Sequence, residues 1–182
     1  MRKTFTLLFL LATPITVAAQ SYDEGYSHHQ LGAEASMLTG IGGSYSYIFD
    51  SLFRIKTTLW AYYEDQGGGQ TDWTESVGLQ LQYTILRTEV SRFYTMIGGF
   101  YYSHVNKAPS VYYDVTSSYY SPYSNAEHDY AAGIGVGIEL MAWRHIALFL
   151  EGSFEYGGTN YTYGARSIYI GPGLGAGVGY RF

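Results

Sequence analysis

From Gly171 to Gly179 every second residue is glycine, with Pro172, Leu174, Ala176 and Val178 set between them. Tyr180, Arg181 and Phe182 follow. Strict period-two alternation marks an extended strand whose two faces meet different surroundings. One face carries Leu174, Ala176, Val178, Tyr180 and Phe182, and the other carries almost no side chains before Arg181. A half-solvated soluble strand would put polar groups where these glycines stand. Bare positions instead leave room for bulk reaching in from elsewhere, while the apolar face needs an apolar neighbour.

The pattern recurs upstream. IALFLEGSFEYG sets Ile146, Leu148, Leu150, Phe154 and Tyr156 against Ala147, Phe149, Glu151, Ser153 and Glu155. AAGIGVGIELMAW sets Ile134, Val136, Ile138 and Leu140 against Gly133, Gly135, Gly137 and Glu139. SVGLQLQYTILR and LFRIKTTLWAYYE alternate in the same way, with Gln80 and Gln82, then Arg54, Lys56 and Trp60, on the second face. RFYTMIGGFYYSH, QLGAEASML and GGSYSYIF are fainter and their facing is open. Eight segments of about ten alternating residues, an even number, predict an all-β, eight-stranded antiparallel up-and-down transmembrane β-barrel.

The start of the chain and its composition point the same way. MRKTFTLLFLLATPITVAAQ has a basic start, a short apolar run broken by Pro14, and small residues at Val17 and Ala19. That predicts a signal peptide over residues 1–19, too short to span a membrane, cleaved before Gln20. Residues 20–29 then form an N-terminal periplasmic lead and residues 30–182 the barrel. There is no cysteine, so a disulfide framework is excluded. Fifteen acids against ten bases argue against nucleic acid as a partner. Charged residues make up only 14%, against roughly 25% in soluble domains. Such a surface suits lipid, and an exported chain with no further helical span is left with a closed barrel.

The connections alternate short and long from the second strand onward. FDS, RTEVSR and WRH are tight. EDQGGGQTDWTE, the stretch from Val105 to Asp129, and GGTNYTYGARS are long, and only the first hairpin, around LTGIGG, is short where a long loop is due. Short turns on one side and long loops on the other place both termini on the periplasmic side. Phe49, Phe53, Phe93, Trp143, Tyr180 and Phe182 fall near the short turns. Tyr62, Tyr63, Tyr101, Tyr102, Tyr156 and Tyr169 fall near the long loops, as two interfacial girdles. A soluble β-sandwich would also alternate, but has no use for aromatics at both ends of its strands.

A signal peptide, eight alternating strands and a final phenylalanine with Val178 and Tyr180 before it resemble the small outer-membrane barrels of the OmpX and OmpA type. The resemblance covers the whole expected mature chain and is one of architecture. It implies residence in the outer membrane of a Gram-negative bacterium, in a wall of porin-like build. It also implies that Val178, Tyr180 and Phe182 form the signal read by the barrel-assembly machinery. No peptidoglycan-binding domain follows the last strand, so anchoring to the wall is not expected.

An eight-stranded barrel has an interior just wide enough to be filled by side chains. The inward charges Glu34, Arg54, Lys56, Glu139, Glu151 and Arg181, with Glu155, should pair into a polar plug, because isolated buried charges are costly. The barrel is therefore expected to be closed to conduction. For catalysis, Ser103 and His104 are adjacent on a strand and point to opposite faces. His28, His29, His128 and His145 have no readable serine and carboxylate partners. Asp23, Glu24, His28 and His29 could chelate a metal but lie in the polar lead. The expectation is a non-enzymatic barrel with no cofactor and no metal, a lipid-modifying enzyme being the alternative.

The loops remain. VNKAPSVYYDVTSSYYSPYSNAEHD is rich in tyrosine and serine, a composition that suits adaptable contact. Tyr112, Tyr113, Tyr119, Tyr120 and Tyr123 are the candidate binding residues for a surface ligand. Glu64, Asp65, Asp72, Glu75, Asp114, Glu127 and Asp129 lie in or beside the long loops and could hold divalent cations against lipopolysaccharide phosphates. The expected partners are membrane lipid, lipopolysaccharide and, during biogenesis, the assembly machinery.

Overall fold

Alternating β-branched and aromatic residues favour a pleated surface, and the chain uses them in one continuous meander. The computed structural model describes residues 28–49, 52–67, 69–111, 120–143, 145–161 and 166–182. The strands are β1 (His29–Ser36), β2 (Gly40–Ile48), β3 (Phe53–Gly67), β4 (Gln70–Arg87), β5 (Ser91–Val111), β6 (Tyr120–Met141), β7 (Ile146–Tyr161) and β8 (Ser167–Arg181). Each pairs antiparallel with the next, and β1 pairs with β8 to close the ring. Closure gives the backbone donors and acceptors of the ring partners on both sides, the condition for crossing hydrocarbon with strands. The described residues contain no helix long and apolar enough to cross a membrane.

The outward face is an apolar belt. Leu79, Val136, Leu150, Phe154 and Leu174 are all exposed, Leu174 at 71%. A surface of this kind on every strand is unstable in water and fits lipid. The chain is an eight-stranded transmembrane β-barrel. The three strands of open facing now have theirs. Gln30, Glu34 and Ser36 of β1, Ser44 and Ser46 of β2, and Arg92, Tyr94 and Met96 of β5 are buried in the lumen.

Both termini of the barrel lie at the short-turn end. His29 belongs to β1 rather than to the lead expected over residues 20–29. Its carbonyl accepts from the Phe182 amide at 3.1 Å, and the two rings stack at 5.9 Å. His28 is also held, its ring 2.8 Å from the Ile48 carbonyl. Closing β1 onto β8 requires this pairing, which is why the strand begins earlier than its polarity suggests. The expected signal peptide and residues 20–27 lie outside the described residues.

The long connections are mostly strand. β3 and β4 run on to a turn at Gly67–Gln70, and β5 and β6 pair as far as Val111 and Tyr120. The described parts of the expected loops Glu64–Glu75 and Val105–Asp129 are therefore corrected to hairpin extensions, residues 112–119 lying outside the described residues. Tyrosine, threonine and serine keep strand geometry there, although the apolar face that marks a strand within lipid is gone. Tyr62, Tyr102 and Tyr169 also leave the proposed girdle. They lie in register with lumen-facing Thr58, Met96 and Gly173, so they line the concave face. Tyr63, Tyr101 and Tyr156, joined by Trp73, point outward.

β1 and β2 are only eight and nine residues long, and their turn does not stand above the rim. Leu38 and Thr39 are fully buried, Leu38 packing on Tyr94 and Met96 of β5. The Thr39 carbonyl occupies the place a Cβ would take on Gly78 of β4. The turn thus leans across the lumen onto the β4–β5 wall. Gly40, with φ of 79°, makes the bend that L side chains resist. Pairing of β8 with β1 ends at Gly175, followed by a bond from Met37 N to Leu174 O at 3.0 Å. Pairing of β3 with β2 ends at Leu59. Above these points the wall has a gap between β8 and β3.

Candidate functional site

Two clusters of charge fill the lumen below the inward turn. In the first, Glu139 (β6, 1% exposed) takes two hydrogen bonds from Arg54 of β3, at 2.6 and 3.3 Å. It also takes one from Arg181 of β8, and Arg92 Nε stands 3.5 Å away. Gln30 accepts from both Arg54 and Arg181 at 3.2 Å. In the second, Lys56 Nζ lies 2.6 Å from Glu34 and 2.9 Å from Glu151. Glu151 further accepts from Tyr94 Oη at 2.8 Å and Gln80 Nε2 at 3.2 Å, while Glu34 accepts from Thr39 and Thr58. Arg54 and Lys56 reach across the barrel, from β3 to β6 and β7. Charges that satisfy one another across a low-dielectric space hold the walls at fixed separation.

All six charges expected in the lumen, Glu34, Arg54, Lys56, Glu139, Glu151 and Arg181, are in these clusters. Arg92 is an addition. Its guanidinium sits 4.1 Å above the Tyr94 ring and donates to Gln82. A sequence signal for it existed, since Arg92, Tyr94 and Met96 share a parity, but Phe93 beside Tyr94 masked the facing. The glycines account for the space. A Cβ on Gly137 would overlap the Tyr94 ring, and one on Gly177 would overlap Phe149. Glu155 is buried in the lumen but joins neither cluster. Its Oε1 accepts from Ser153, and its Oε2 has no hydrogen-bond partner.

Higher on the concave face, Thr74 Oγ1 lies 2.9 Å from His104 Nδ1, with the His104 Nε2 3.8 Å from Asp72 Oδ1. Asp72 and Thr74 are the i, i+2 pair a strand can aim together, and His104 comes from the neighbouring strand. Serine-centred reading missed the group because the hydroxyl is a threonine. The 3.8 Å between His104 and Asp72 is longer than a hydrogen bond, so the three groups are not linked as a relay in this arrangement. Asp72 already accepts from Asn106 at 2.8 Å and Gln66 at 2.9 Å, and the ladders on both sides occupy the backbone N–H groups an oxyanion would need. Ser103 and His104 face opposite sides, as their adjacency requires. No group of three or more metal-ligating side chains occurs among the described residues.

Val178, Tyr180 and Phe182 form one outward row at the short-turn end, Tyr180 and Phe182 stacked at 6.5 Å and His145 at 5.5 Å from Tyr180. Of the candidate binding tyrosines, Tyr112, Tyr113 and Tyr119 lie outside the described residues. Tyr120 and Tyr123 are on β6, paired with Val111 and Ala108.

No protein-family model and no curated protein matches the chain. Solved structures similar to it include three of bacterial proteins. Acinetobacter baumannii CarO2 is 10% identical, with 85% of this chain and 98% of that one covered and a TM-score of 0.40. A major outer membrane protein from Thermus thermophilus is 12% identical over 85% and 99%, with a TM-score of 0.43. Ail, the attachment invasion locus protein of Yersinia pestis, is 12% identical over 85% and 93%, with a TM-score of 0.36. The closed ring and the apolar belt of this chain stand independently of those likenesses.

Proposed function

We propose that the protein is a non-enzymatic barrel of the Gram-negative outer membrane, structural in its wall and surface-binding through the β5–β6 hairpin. One observation supports this most. Pairing of β4 with β5 ends at Thr71 and Lys107, and that of β6 with β7 at Glu127 and Tyr161. β5 and β6 go on together to Val111 and Tyr120 with no further strand paired to either among the described residues. A free two-stranded ribbon is marginal in water and adds nothing to the wall. Its tyrosine- and serine-rich sequence instead suits contact with another surface, and the acids below it suit cations bridging to lipopolysaccharide phosphate. The salt-linked plug beneath it favours a platform over a channel.

Replacing residues 108–126 with a short Gly-Ser linker should leave a heat-modifiable barrel in the outer membrane, since the cut falls above the last pairs with β4 and β7. Cells carrying it should lose the surface binding owed to this protein, and their lipid A mass spectrum should match that of cells without the protein. A barrel that no longer folds, or binding that persists, would refute the assignment to the ribbon. Within the same reading, the row Val178, Tyr180, Phe182 is the stretch handed to the assembly machinery. Phe182→Ala should lower the amount of folded barrel in the outer membrane, seen as loss of the heat-modifiable band. Unchanged yield would count against that role.

A further inference from the structure

The gap between β8 and β3 coincides with an unpaired buried carboxylate. At a strand tilt near 40°, each residue rises roughly 2.5 Å along the barrel axis, so an apolar band of about 25 Å spans about ten residues. Counted from Tyr180, the band reaches Ile170, and the gap opens above Leu174. Its lower part is therefore level with lipid, where an open sheet edge is tolerated only if it borders an occupied or wet lumen. Just inside it lies Glu155, 1% exposed, with Oε1 against Gly173 and Oε2 unpartnered. On its cross-strand partner Gly171, a Cβ would meet nothing within 4 Å. The open space at Gly171 thus lies on the strand paired with the unsatisfied acid, and a head group there is reached when the Glu155 carboxylate turns from Gly173 towards Gly171.

We propose that this space takes the ammonium head of an amphiphile, held by Glu155, with its hydrocarbon chain leaving sideways through the gap. The occupant is not a strand. Leu174, whose carbonyl accepts from Met37, shows that even-numbered residues of β8 turn their backbone groups to the gap. The next in that row is Pro172, which has no N–H to offer, a device that blocks edge pairing. The occupant is cationic. Among the described residues, the upper concave face carries Glu64, Asp72, Glu127 and Asp129 besides Glu155, with His104 and no lysine or arginine. The apolar chain has a route past Trp60, on the concave side of β3 yet 40% exposed because the wall beside it is missing.

Isothermal titration of the full barrel in nonionic detergent tests this with dodecylammonium, dodecanoate and butylammonium. Dodecylammonium should bind roughly tenfold or more tightly than either of the others. Glu155→Gln should abolish its advantage over dodecanoate. Gly171→Val, whose added methyls enter open space and leave the barrel heat-modifiable, should abolish binding. Equal binding of the two long-chain probes, or dodecylammonium binding that survives Gly171→Val, would overturn the proposal even if Glu155→Gln failed to fold. Native mass spectrometry of barrels extracted from phosphatidylethanolamine vesicles separates the sources. One retained aminolipid, lost in Gly171→Val, points to the bilayer, and an empty barrel that still binds dodecylammonium points to a soluble amphiphile.

Discussion

Glu139→Leu should destabilise the folded barrel by about 3–5 kcal/mol, because it leaves buried cations without their counter-charge. Arg54, Arg92 and Arg181 all converge on this one carboxylate, which is 1% exposed. Removing it leaves three guanidiniums facing one another, with Gln30, Gln82 and Thr84 as the side-chain acceptors that remain. Glu139→Gln keeps an acceptor oxygen and should cost less than the leucine change. Urea unfolding in lipid vesicles, followed by tryptophan fluorescence, measures both. A loss below about 1 kcal/mol for the leucine variant would mean that the cluster does not hold the walls together.

The opposite face gives the second large effect. Val136→Lys should destabilise by about 2–4 kcal/mol, the cost of a lysine on the lipid face near the bilayer midplane. Val136 is exposed halfway along the membrane part of β6, between Thr95 of β5 and Gly152 of β7. Its neighbours in sequence, Gly135 and Gly137, face the lumen. Val136→Thr, similar in shape and uncharged, should be far milder. The same unfolding assay in vesicles reads both, and a neutral lysine variant would mean that this belt does not meet hydrocarbon.

The facing of β3, β4, β6, β7 and β8 was legible in the sequence because lipid and lumen impose opposite demands at every second residue. Thr57 and Leu59 against Lys56 and Thr58 is enough contrast to read. β1, β2 and β5 were not legible, for local reasons. Small residues occupy both faces of QLGAEAS. In RFYTMIGG, Phe93 and Tyr94 are both aromatic and Gly98 adjoins Gly99, so neither face stands out. Strand ends are illegible in the sequence for another reason. Beyond the membrane, pairing continues while the apolar face disappears, so hydrogen-bonded ribbon reads as loop. The pairing across the lumen followed from charge type alone, whereas Thr74–His104–Asp72 depended on a register no single strand reveals. The short LTGIGG turn is an irregularity in the sequence, but nothing in its composition says that Leu38 points inward.

That inward turn makes the wall a zip of unequal sides. β5 and β6 are fastened along 21 and 22 residues, while the β1–β2 hairpin is held to its two neighbours only over its short lower part. A ring under load parts at its weakest fastening, and here both weak seams border the same stave. Heat or mechanical pulling should therefore free this hairpin as one piece before the remaining six strands separate. In reverse, it is the stave that goes in last: a six-stranded trough from β3 to β8 can form first, and the hairpin then locks it by setting Leu38 against the far wall.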